Sequence, residues 1–321
     1  MKITGSGDMI RLLLTLVGLV ILCILFANLD PFFAGNRNVL NVMRQIAPIL
    51  LIGIGQSVVL VTGNIDLSIG SIIGMSAMLS ATLMSYGMSP VFAVLITIPA
   101  CMIFGFLNGE LVARVKMPSY IATMGTMMIC RGIAQIANGN YDTGFIGNQT
   151  EGFRNLFYYG KLLGVYSPVW IAAIVWALAF FLLSKTRTGR HFYAIGSNPV
   201  AAGLSDVNVI ATTDKAYVIS AFCAAIAGLI STAELGYGNM AGGTVYELYA
   251  VAAAVVGGIS TLGGRGLLAG TVVGASIWGV LQNGLIRVLA PVAIRNIAIG
   301  IIIIVIVSLD IRMRYRKSDT L

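Results

Sequence analysis

The chain has 321 residues, 58% of them hydrophobic and only 10% charged, with a mean hydropathy of +0.92. A water-soluble domain carries about a quarter charged residues, so this composition excludes a soluble globular protein and makes a bilayer the solvent for most of the surface. The net charge of +8 does not signal nucleic acid, because the basic residues sit in short connections and at the C-terminus rather than in patches interleaved with aromatics.

Apolar runs of about 20 residues, each ended by Gly, Pro, Asn or charge, mark membrane helices. In chain order they predict helices at 10–27, 39–62, 67–86, 91–113, 119–137, 168–184, 213–235, 247–260, 267–287 and 292–309. The expected class is an all-α, polytopic integral membrane protein with about ten transmembrane helices, forming one transmembrane domain over residues 1–321. The first run follows Lys2 and Arg11 but leads into Asn28-Leu29-Asp30-Pro31 rather than a small-residue cleavage site, so it reads as a retained helix. The eighth run is short for a crossing and is expected to be tilted, broken or extended into its neighbours. With alternating spans and the N-terminus inside, 13 of the 20 lysines and arginines fall on the inner side, so both termini are expected in the cytoplasm. Cys23, Cys101, Cys130 and Cys223 all lie in apolar runs with no metal-ligand spacing, and read as small buried hydrophobes.

Two connections are long. The outer one, 138–167, carries Tyr141, Phe145, Phe153, Phe157, Tyr158, Tyr159 and Tyr166. It reads either as an interfacial aromatic belt or as a docking surface for an external partner. The inner one, 185–212, contains Asn198-Pro199, an N-cap and first-turn pair. A compact helix of roughly five to seven residues is expected there, running through Ala201 and Ala202 and ended by Gly203. It reads as a rigid contact for a partner protein or as an ordinary capped loop helix.

Thr62-Gly63-Asn64-Ile65-Asp66-Leu67-Ser68-Ile69-Gly70 places an acid between two apolar runs. A carboxylate at membrane depth costs about 2.5–3.5 kcal/mol on insertion scales, so it needs a reason. One is mechanical, with Asp66 capping the next helix; the other is a place on a pathway or at a joint with a partner. Glu247 is expected at the outer start of a helix, where the macrodipole favours an anion. The glycine-rich stretch 257–266 bends the chain and is not a phosphate loop, since no segment reads G-x-x-x-x-G-K-[ST]. The single histidine, His191, lies in a predicted loop, so neither a histidine metal site nor a catalytic triad is expected.

These stretches together resemble the permease subunits of monosaccharide ABC importers of the ribose, xylose and arabinose type. The residues that carry the resemblance are Gly63 to Gly70, Phe106-Leu107-Asn108-Gly109, Ile121 to Met127 with Arg131-Gly132, Gly189-Arg190, Tyr193 to Asn198 with Ala201-Ala202, and Glu247-Leu248 through Gly263-Gly264-Arg265-Gly266. Asn64 and Ser197 stand where glycine is usual, and Tyr249 where an aspartate is common. The resemblance implies a non-enzymatic permease in a bacterial cytoplasmic membrane, working with a cytoplasmic ABC ATPase, an extracytoplasmic sugar-binding protein and a second permease copy or close paralogue. No cofactor is then expected on this chain, ATP-Mg being held by the ATPase, and nucleic acid is not expected as a partner.

Under the resemblance, Gly189, Arg190, Tyr193, Gly196, Asn198, Pro199, Ala201 and Ala202 form the ATPase-coupling loop. Asp66, Ser68, Asn108 and Glu247 form a structural or pathway motif. A polar path for a sugar would draw on Gln56, Ser57, Thr123, Thr126, Gln135, Gln282 and Asn283, each of which also reads as an ordinary interhelical hydrogen-bonding residue. The competing class is a stand-alone carrier driven by an ion gradient, for which Asp66, Glu110 and Glu234 would have to titrate.

Overall fold

The computed structural model describes residues 6–298 and, beyond them, residues 300, 301, 304 and 308. Lys2 and the basic run Arg312, Arg314, Arg316 and Lys317, on which the expected siting of the termini leaned, lie outside the described residues.

Long helices follow one another as α1 (Ser6–Leu29), α2 (Asn36–Val61), α3 (Ile69–Ser85), α4 (Pro90–Ala113) and α5 (Ser119–Ile136). The 138–167 connection contributes the single turn α6 (Glu151–Arg154) and a hairpin of β1 (Lys161–Leu162) and β2 (Val165–Tyr166). Then come α7 (Ser167–Lys185), α8 (Arg187–Ser197), α9 (Pro199–Leu204), α10 (Val209–Leu235), α11 (Tyr246–Val256) and α12 (Leu268–Arg287). Residues 292–298 begin a further helix. Of the described helices, α1, α2, α4, α7, α10 and α12 are long and apolar enough to cross a membrane, while α3 and α11 are shorter apolar helices.

Helix ends follow local chemistry. Asn208 caps α10 by accepting from the Ala211 amide at 2.9 Å. The same helix stops at Gly236, whose φ of 75° is open to glycine and strained for most other residues. Pro90 and Pro168 occupy first turns, where a missing amide proton leaves nothing unsatisfied.

With no water to expel between helices in lipid, close packing of small residues has to hold them together. α10 is lined with buried alanines, and α4 reaches it through Gly105, where a Cβ would strike the Tyr217 carbonyl and Ala221. Gly228 of α10 receives Ser76 of α3, whose hydroxyl donates to Ala225 O at 2.7 Å. Gly279 of α12 receives Ile46 of α2 in the same way. At one end, Asp30 pairs with Arg287, tying α1 to α12. The Arg287 hydrogen bond, helped by the Phe32 amide, holds the Asp30 carboxyl below the usual carboxylate range.

α2 and α10 run antiparallel through the centre, with Gly55 packed on Ser220. Each is followed by a non-helical stretch that turns back into the bundle before the next helix starts. After α2, residues 62–68 climb to the level of Ser220 before α3 begins. After α10, residues 236–245 return along α3, with Gly238 against Ala77 and Ala81, Gly242 by Gly74, and Gly243 by Gly70. α11 therefore starts beside the first turn of α3 and runs the other way. At 11 residues it is about 16 Å long, about half the hydrocarbon thickness. The units α2–α3–α4 and α10–α11–α12 thus repeat one plan in opposite directions.

Candidate functional site

The 185–212 connection is more ordered than a loop. Thr186 caps α8 by accepting the Gly189 amide at 3.1 Å, and α8 presents Gly189, Phe192 and Ile195 to the interior while Arg190 faces out. His191 is therefore helical, a correction to its predicted loop. Gly189 is glycine because a Cβ would meet the Leu182 and Leu183 carbonyls at the end of α7. Tyr193 donates its hydroxyl to Gly266 O at 2.9 Å. Asn198 both ends α8 and caps α9, accepting the Ala201 amide at 2.9 Å. α9 has Pro199 in its first turn and runs to Leu204, one residue past the expected stop at Gly203. Ala202 is buried beneath it, so the face it offers is built from Val200, Ala201 and Leu204, with Val200 72% and Leu204 86% exposed.

Behind α9 three stretches of backbone cross. A Cβ on Gly196 would collide with Val61 O and Gly264 N, which are themselves joined by a 2.9 Å hydrogen bond. Gly263 (φ 84°) sits against Gly63 and the Gly196 carbonyl. The end of α8, the end of α2 and the glycine-rich 257–266 segment thus meet where a side chain on any of them would not fit.

Five residues further on from Val61, the chain enters a buried polar network. Asp66 is fully buried; its Oδ1 accepts from the Ser68 amide at 2.9 Å and the Ser68 hydroxyl at 2.6 Å, and its Oδ2 from the Ser220 hydroxyl at 2.7 Å. The Ser68 hydroxyl accepts from Asn108 Nδ2 at 2.9 Å, and Asn108 Oδ1 accepts from Thr126 at 2.6 Å. Thr123 and Ser119 of α5 take the Leu67 and Ile65 amides, and Tyr217 of α10 donates to Ile65 O. The 62–68 stretch is therefore satisfied by α4, α5 and α10, as an irregular backbone inside a membrane protein must be. The expected capping role of Asp66 is limited to one amide, that of Ser68, which is itself the N-cap of α3; the Ser68 side chain accepts no amide of the helix's first turn. The carboxylate binds helices together more than it caps one.

Glu247 lies in the first turn of α11, but that turn is beside the start of α3 and not at an outer end, which corrects its expected position. Its Oε2 rests against Gly70, and Arg131 of α5 donates to Gly242 O at 2.5 Å nearby.

The polar path candidates do not line one channel within the chain. Thr123 and Thr126 belong to the Asp66 network. Ser57 hydrogen-bonds Gly53 O and Thr271, an interhelical role. Asn283 joins Asn38 and Gln45, again between helices. Gln135 is exposed on α5, and Gln56 is fully buried in α2. Gln282 borders a cavity of about 260 Å³ between α2, α10, α11 and α12.

The 138–167 connection is fastened down. Thr143 and Ile146 donate amides to Gly238 O and Gly236 O, Arg154 donates to Ala233 O, and Tyr159 to Glu234 O. Tyr158 reaches the Glu234 carboxylate, and Arg44 lies 4.3 Å from the ring centres of both Tyr158 and Tyr166. Those aromatics anchor the connection, while Tyr141 and Phe145 stay exposed. Sequence reading missed this division and the helix α8. The spacing of Gly189, Phe192 and Ile195, three apart, was the available signal for α8. Among the described residues no group of three or more His, Cys, Asp or Glu is placed to hold a metal ion.

Residues 38–307 match the protein family described as branched-chain amino acid transport system / permease component. The chain is similar to the ribose import permease protein RbsC of Haemophilus influenzae, 37% identical over 84% of this chain and 83% of that protein. It is 37% identical to RbsC of Bacillus subtilis over 92% and 91% of the two chains, and 34% identical to the D-allose transport system permease protein AlsC of Escherichia coli over 91% and 89%. No solved structure matches. A match from the start of α2 to beyond α12, covering both of the inverted units, makes this chain a member of that permease family.

Proposed function

We propose that the chain is the membrane-spanning permease of an ATP-driven importer for a monosaccharide or related polyol, coupled to a separate cytoplasmic ATPase. The observation that carries the reading is end-to-end similarity to permeases named for two different sugars, ribose and D-allose. In this reading the chain sits in a bacterial cytoplasmic membrane with about ten spans and both termini inside. The α9 face is the ATPase contact: a helix of six residues with fixed ends, bearing exposed Val200 and Leu204, suits a socket in a partner. The anchored 138–167 connection, with Tyr141 and Phe145 exposed, receives the sugar-binding protein, and a second permease copy or close paralogue completes the path. ATP-Mg belongs to the ATPase, and this chain catalyses no reaction.

The gradient-driven alternative finds its three carboxylates engaged. Asp66 takes three donors, Glu110 pairs with Arg114 at 2.5 Å, and Glu234 takes Tyr158. Co-purification from mild detergent tests the proposal. An ATPase should accompany the tagged wild-type chain and be lost from Ala201→Glu or Leu204→Glu variants that still insert. A chain that purifies alone and moves solute in ATP-free vesicles would overturn it.

A further inference from the structure

The cavity beside Gln282 has a composition that the path of helices alone does not require. Its volume is about 260 Å³. One wall is aromatic: Tyr246 and Tyr249 have ring centres 5.3 Å apart, and Trp278 backs Tyr249 at 4.7 Å. Arg44 and Glu234, one cation and one anion, also line it, so the lining is charge-balanced. Arg44 is clamped by the rings of Tyr158 and Tyr166, and its Nε is buried with no hydrogen-bond partner among the described residues. The amides of Gln45 and Gln282 complete the edge.

We propose that this cavity is a binding site within the permease for one neutral polyhydroxylated molecule of monosaccharide size. The assignment rests on the importer reading above and gives its cargo a place in a single chain. The chemistry selects against the alternatives. The lining carries one cation and one anion, so it offers no net charge to favour an ion of either sign. A purely apolar ligand would leave the buried Arg44 Nε unpaired, at about 1–3 kcal/mol. A sugar ring offers a C–H face to the tyrosine wall and hydroxyls, both donors and acceptors, to the guanidinium, carboxylate and amides. Binding sites of this kind combine an apolar wall with a few convergent polar groups.

The test uses the intact transporter in native membranes. Uptake of a panel of radiolabelled aldopentoses, aldohexoses and linear polyols by the wild type first identifies a transported probe. Gln282→Cys, Gln45→Cys and, as a surface control, Leu163→Cys chains are then labelled with a small hydrophilic maleimide, with the wild-type chain and its four free cysteines as the blank. At a probe concentration about ten times its Kd, occupancy leaves about one site in ten open, so labelling of Gln282→Cys should slow about tenfold. Gln45→Cys, at the rim, should be protected by the same probe, and the exposed Leu163→Cys should not. A sugar that is not transported should protect none of them. Equal labelling of Gln282→Cys and Gln45→Cys with and without the probe, in a transporter that takes the probe up, would overturn the cavity assignment and leave the importer reading intact. A wild-type system that moves no member of the panel would overturn the importer reading, and the assignment with it.

Discussion

Asp66 keeps its carboxyl group inside the protein with three hydroxyl and amide donors and no cation among them. In a dry interior the loss of such hydrogen bonds is costly. Replacing Asp66 with leucine would strand the Ser68 amide, the Ser68 hydroxyl and the Ser220 hydroxyl, at about 1–3 kcal/mol for each donor left unpaired. Asp66→Asn keeps an acceptor for Ser68 and offers a donor to the Ser220 oxygen, so it should be far milder. Thermal unfolding in detergent should rank the wild type first, Asp66→Asn next and Asp66→Leu last by a wide margin; equal melting of the two variants would refute the network's role. The sequence makes Asp66 conspicuous, since an acid between apolar runs demands an explanation. Its partners were not legible, because Asn108 and Ser220 lie 40 and 154 residues from the groups they bind. Pairings at that separation are set by how helices pack, which no local pattern encodes.

At the scale of elements, the long helices were readable because apolar length is a bilayer requirement that each segment satisfies by itself. Every expected span coincides with a helix among the described residues, to within a few positions, and the tenth is seen from 292 to 298. What apolar length conceals is where a helix starts relative to its neighbours. α11 reads as a short span, yet its start halfway into the bundle depends on residues 236–245 folding back along α3, held by contacts through Gly238, Gly242 and Gly243. The joint behind α9 is similar: its glycines look like one flexible run in sequence, whereas Gly63, Gly196, Gly263 and Gly264 are brought together from three places. Gly196→Ala and Gly203→Ala separate steric need from chain flexibility. The first drives a methyl into Val61 O and should cost about 1–3 kcal/mol or displace α8. At Gly203 the nearest atom to an added Cβ is 3.8 Å away, and alanine inside a helix should gain about 0.5–1 kcal/mol. Melting temperatures moving in opposite directions are the expected result.

For the whole molecule, the inverted units give the chain two unlike ends. One carries α8 and α9; the other carries the 138–167 connection and the Asp30–Arg287 pair. Orientation in the membrane is then a single choice; under the proposed function the α9 end faces the cytoplasm. A membrane-impermeant maleimide should label Leu163→Cys on intact cells, and Leu204→Cys only after permeabilisation, both positions being more than 80% exposed. The reverse pattern would invert the molecule and remove α9 from the side on which the proposed ATPase must lie. The junction at Asn198 bears on how such a machine would run. One residue finishes α8 and opens α9, so there is no spare link between a helix seated in the protein interior and one standing out from it. A tilt of α9 would therefore act on the end of α8 with no linker between them, beside the crossing of Val61, Gly196 and Gly264.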